Sequence, residues 1–158
     1  MKNILVSKII FRGRKNISWD AVGEYMKKYQ GNSYMVEEYG DEINVNMMSI
    51  DEYISSKYTR GLKGTLAKAK ANIAQILPEL IQSATNRRWI DNNDEKHKNN
   101  ANKGWYRYDV FFSLPIKAED DEDIHWNKYR ATMIVRANDR GQFLYDIINI
   151  KKEVSNPR

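Results

Sequence analysis

Apolar positions alternate imperfectly from Ile4 to Phe11, as in a strand, and Gly13 to Asn16 supplies a turn. Ser18 then stands where a helix N-cap belongs. Trp19, Val22, Tyr25, Met26 and Tyr29 follow at spacings of three and four, which predicts one apolar helix face stopped by Gly31. From Ser33 to Met47 the chain alternates again around Gly40-Asp41, the signature of a hairpin. The longest helical stripe comes next, through Leu62, Leu66, Ala69, Ile73, Ile76, Leu77 and Leu80, with Pro78 expected to kink or restart it.

The polar, asparagine-rich segment Asn92 to Gly104 has no apolar period and reads as a loop. After it, Trp105 to Ile116, Tyr129 to Ala137 and Gln142 to Ile150 are rich in aromatic and β-branched residues, as strands are. Asn138 to Gly141 makes a hairpin turn between the last two, and Glu119 to Asp123 reads as an acidic loop. The expected fold is α+β: an N-terminal strand-helix-hairpin module over residues 1–50, then a long helix and an antiparallel sheet of about four strands over 51–158, packed as one compact unit.

Length agrees with that reading, because 158 residues with 41% hydrophobic content suffice for one core. The absence of cysteine excludes a disulfide framework, a thiolate nucleophile and any sulfur-ligated zinc, and fits a reducing, cytoplasmic setting. The N-terminal apolar run is too short for a signal peptide or a membrane span. Two histidines give poor support to a metal site, and no phosphate-cradling glycine loop or dinucleotide fingerprint is present, so neither metal nor cofactor is expected.

The net charge of +5 matters chiefly through its distribution. Lys57, Arg60, Lys63, Lys68, Lys70, Arg87 and Arg88 face a single acid, Glu79, across that stretch, while other acids gather at Glu37 to Glu42 and Glu119 to Asp123. A basic face of this kind suits a polyanion. Lys63 and Lys70, seven residues apart, share a helical angle from which they either grip phosphates or snorkel beside the apolar stripe.

Cutting RNA at its own 2′-hydroxyl needs a base, an acid and cations to stabilise the phosphorane. His97, between Lys96 and Lys98, is the candidate base or acid, and adjacent cations favour its neutral form. Arg107 and Arg130 are candidates for the scissile phosphate, and Arg136, six residues beyond Arg130, belongs on the same strand face. Lys103 joins the basic set, and Trp105, Tyr106 and Tyr108 offer rings for unpaired bases unless strand alternation buries them. Tyr145 either packs in the core or offers its hydroxyl to a phosphate.

These blocks carry a resemblance. The run Tyr58 to Asn72, the Lys96-His97 pair, Lys103-Gly104-Trp105-Tyr106-Arg107-Tyr108, and Leu144-Tyr145-Asp146-Ile147 with Ile150-Lys151-Lys152-Glu153 resemble the nuclease domains of phage and mobile-element large polyvalent proteins. Those domains are grouped with the barnase, EndoU, colicin and RelE ribonucleases. The resemblance spans roughly residues 50 to 153. It implies helices followed by a four-stranded sheet whose face holds a metal-independent ribonuclease site, with His97, Lys96 and the Trp105 to Tyr108 block at the motif positions. It also implies a toxin or effector role, an RNA target and an immunity partner. The chain departs from the pattern in offering His97 no second histidine or glutamate as a mate. Two other readings follow: a non-enzymatic RNA binder that inhibits a host nucleoprotein such as a CRISPR effector, and a phage structural component assembling through its N-terminal strand.

Overall fold

In the computed structural model, which describes residues 2–13, 16–91, 103–116 and 125–153, the chain folds as α+β with a seven-stranded sheet. Strand β1 (Asn3–Leu5) is followed by helix α1 (Trp19–Met26), the hairpin β2 (Ser33–Val36) and β3 (Asp41–Asn44), and helices α2 (Met47–Ser55) and α3 (Lys57–Gly61). Then come α4 (Gly64–Asn72), α5 (Leu77–Ser83), β4 (Thr85–Ile90), β5 (Gly104–Ile116), β6 (His125–Asn138) and β7 (Gly141–Lys152). The strand order is β1-β5-β6-β7-β3-β2, and β4 lies end to end with β1 along the same side of β5.

The sheet has more strands than expected because residues 1–50 do not form a sheet of their own. β1 pairs in parallel with β5, and β3 pairs in parallel with β7, so the N-terminal segments extend both sides of the C-terminal meander and share its core. Of the expected first strand only Ile4 and Leu5 lie in β1. Beyond it the chain becomes a strap: Asn72 accepts from the backbone N–H of Ile10 and Phe11 at 2.9 and 3.1 Å and donates to the Phe11 carbonyl at 3.0 Å. A buried amide thus supplies the pairing that a neighbouring strand would have supplied.

Local signals explain several boundaries. Ser18 caps α1 by accepting from the Ala21 N–H, and Asn46 and Ser49 cap α2 reciprocally. Gly104, at φ +130°, has no room for a side chain, because a Cβ there would lie 2.6 Å from the Trp89 ring and 2.7 Å from the Ile90 carbonyl oxygen. The long helix predicted over Leu62 to Leu80 is instead two short helices joined by a 3₁₀ turn, Ile73–Ile76, and Pro78 sits in the first turn of α5, where it removes no needed donor.

Lys70 is the largest correction to the sequence reading. Its side chain is wholly buried, with Nζ 2.5 Å from Asp146 Oδ1 on β7 and 2.5 Å from Thr59 Oγ1, close to the rings of Tyr53 and Tyr58. It therefore locks α4 to the sheet and is unavailable to RNA. A second internal tie runs through Asp41, which accepts from Arg87 Nη1 at 2.8 Å on both oxygens and from the Tyr108 hydroxyl at 2.6 Å. That carboxylate joins the hairpin to β4 and β5. No helix among the described residues is long and apolar enough to cross a membrane.

Candidate nucleic-acid interface

Alternation along the two longest strands sends Tyr108, Val110, Phe112, Met133 and Val135 into the core. The intervening residues form the other face of the sheet. Trp105 stands opposite Arg136, Arg107 opposite Ile134, Asp109 opposite Thr132, and Phe111 opposite Arg130. Beyond β6, a register shift places Lys151 opposite Arg130. The extra residue on β7 lies beside Asn149, whose φ of +54° is a conformation asparagine tolerates better than most side chains.

This bulge builds a polar recess of about 150 Å³ lined by Asp109, Arg130, Thr132, Asn149 and Lys151. Arg130 and Lys151 are exposed cations set directly across from each other, an arrangement that disfavours the bare sheet and favours an anion between them. Thr132 and Asn149 add a hydroxyl and an amide, both able to donate to phosphate oxygens. Asp109 is already engaged: Arg88 Nη2 lies 3.1 Å from Oδ1, and Asn86 donates to Oδ2 at 2.9 Å. Along the same face, Arg107 has a buried Nε with no hydrogen-bond partner among the described residues. A buried guanidinium donor without an acceptor is costly.

The sequence candidates divide around this recess. Arg130 lines it, and Arg107 sits two positions beyond Asp109 on the same face. Arg136 does share the face, as its spacing predicts, but only about 5% of it is exposed, and its guanidinium lies 4.4 Å above the Phe143 ring. It packs against that ring and is not open to a phosphate. Trp105 and Tyr145 pack edge to face at 4.9 Å and remain half-buried beside it. Tyr106 packs on Trp89 at 4.7 Å. Tyr108 is buried, so it cannot stack on a base; burial and the adjacent Asp41 push its hydroxyl well above the ordinary tyrosine range.

Lys63 and Lys68 are exposed on the helical side of the sheet, away from the recess, and Lys103 is exposed just before β5. Lys96, His97 and Lys98 lie outside the described residues. Sequence reasoning missed Asp109, Thr132, Asn149 and Lys151. The first two were within reach, since Arg107-x-Asp109 and Arg130-x-Thr132 place each pair on one strand face. Lys151 and Asn149 were not, because their positions depend on the bulge. Comparison of the chain with models of protein families, with curated proteins and with solved structures finds no match.

Proposed function

We propose that this chain is a cytoplasmic RNA-handling effector of a mobile element that holds a single strand across the uncovered sheet face and cleaves it at a 2′-hydroxyl without a metal. The observation that carries the reading is the opposed pair Arg130 and Lys151 over a recess with hydrogen-bond donors at Thr132 and Asn149. Such a site fits one phosphodiester and stabilises the additional negative charge of a phosphorane. Arg107 extends the cationic track along β5, and the half-buried rings of Trp105 and Tyr145 flank it. Proton transfer is assigned to His97, with Lys96 and Lys98 beside it in the segment that leads into β5.

The test is cleavage of total bacterial RNA in EDTA by the wild type, by Arg130→Ala/Lys151→Ala and by His97→Ala. The wild type should leave 2′,3′-cyclic phosphate ends, and both variants should lose at least two orders of magnitude in rate. Wild-type rates in His97→Ala would refute the catalytic assignment.

One observation favours a second reading, a non-enzymatic RNA binder acting on a host nucleoprotein. Among the described residues no histidine lines the recess, and the one carboxylate there is occupied by Arg88 and Asn86, so they hold cations without an available base. An intact RNA that nevertheless shifts on a native gel, with the shift lost in Arg130→Ala/Lys151→Ala, would select this reading.

A further inference from the structure

A second cationic surface lies on the opposite, helical side of the sheet. Two clefts of about 470 and 490 Å³ adjoin there and share Thr65 and Lys68 of α4. Arg60 and Lys63 line the first, Lys8 and Arg12 line the second, and Lys68 stands between them. All five side chains are exposed, none forms a salt bridge with a described residue, and no acid among the described residues lines either cleft. The remaining walls are largely apolar, including the half-buried ring of Trp19 in the first cleft and Leu114 and Tyr129 in the second.

We propose that these joined clefts form a second groove for a single-stranded nucleic acid, engaging its sugar–phosphate backbone independently of the sheet face. One sign of charge between low-dielectric walls concentrates the field and draws in a polyanion. The cations are spread along two consecutive clefts, so they match a chain of phosphates better than one compact anion. Trp19 adds an aromatic wall on which a base can stack. The strap carrying Lys8 and Arg12 is held by the Asn72 bonds to α4, the helix that supplies Thr65 and Lys68 to the second cleft.

The experiment is fluorescence anisotropy of a labelled oligouridine and the matching oligothymidine between about 0.05 and 0.2 M salt. It compares the wild type, the cleft variant Arg60→Ala/Lys63→Ala/Lys68→Ala and the sheet variant Arg107→Ala/Arg130→Ala, all checked for wild-type urea midpoints. Each phosphate contact on a single strand contributes about 0.7 to the slope of log affinity against log salt, so the cleft variant should lower that slope by about 2. At physiological salt its affinity should fall more than tenfold for both oligomers. An unchanged slope in the cleft variant overturns the groove, as does a loss confined to oligouridine or a wild type that binds neither oligomer. A sheet variant that binds normally while the cleft variant fails counts against the sheet-face function and leaves the groove standing.

Discussion

Asp146→Ala leaves the Lys70 ammonium fully buried with Thr59 Oγ1 as its remaining close partner and removes the acceptor at 2.5 Å. Breaking a buried pair from one side costs about 3–5 kcal/mol, a large share of the roughly 5–15 kcal/mol that holds a domain of this kind folded. Replacing both partners should behave differently. Burial drives the Asp146 carboxyl above its ordinary range and the Lys70 ammonium below its own, so their mutual attraction does not fully offset the loss of water. Lys70→Met/Asp146→Leu should therefore lie within about 2 kcal/mol of wild type, the residual loss reflecting the Ile147 N–H, which donates to Asp146 Oδ1 at 2.8 Å. Thr59 stays satisfied in that variant, since it donates to the Tyr53 carbonyl and accepts from Ser56. Urea unfolding followed by far-ultraviolet circular dichroism measures all three proteins and the coupling energy between the sites. A cost under about 1 kcal/mol for Asp146→Ala, or a double variant as unstable as the single one, would refute the reasoning.

Two further outcomes follow from buried polar groups. Tyr29, Tyr53, Tyr58, Tyr108 and Tyr129 all have hydroxyls pushed above the ordinary range, mainly by burial, so the folded state favours their protonated forms. Their contribution is complete below about pH 10 and is lost as pH rises further, with Lys70 opposing the trend, since its lowered value makes folding favour the neutral amine. Unfolding should therefore set in between about pH 10 and 12, with phenolate absorbance rising in step with the loss of circular dichroism; absorbance that rises while the fold persists would contradict it. Asn72→Ala should cost about 2 kcal/mol and raise amide exchange at Ile10 and Phe11, whose N–H groups it accepts. Unchanged exchange there would show that the strap is held by something else.

Elements with local signals were legible. The Ser18 cap, the Gly40 turn, the Asn138 to Gly141 turn and the two strands it joins depend on residues only a few positions apart, and each forms where the pattern places it. β4 was not, because Thr-Asn-Arg-Arg-Trp-Ile carries two arginines and an asparagine where strand propensity expects apolar alternation. Its arginines are held by acids distant in sequence, Arg87 by Asp41 and Arg88 by Asp109. The break between α4 and α5 was half legible. Pro78 marks it, but the apolar stripe runs through both helices and the turn between them without interruption.

The sequence alone determined an α+β class, one core, a basic balance and the strand face that Arg130 and Arg136 would share, because composition and the two-residue strand period are properties of neighbouring positions. Only the tertiary structure decided which cations are open to a ligand. Lys70 has the same local signature as Lys63, yet it is withdrawn by a carboxylate 76 residues away, and Arg136 is withdrawn by a ring across the β6–β7 turn. Lys151 is brought opposite Arg130 by two register shifts, each adding one residue on β7. Burial and charge pairing arise from contacts between distant segments, and a bulge changes which residues meet without leaving a periodic trace in the chain.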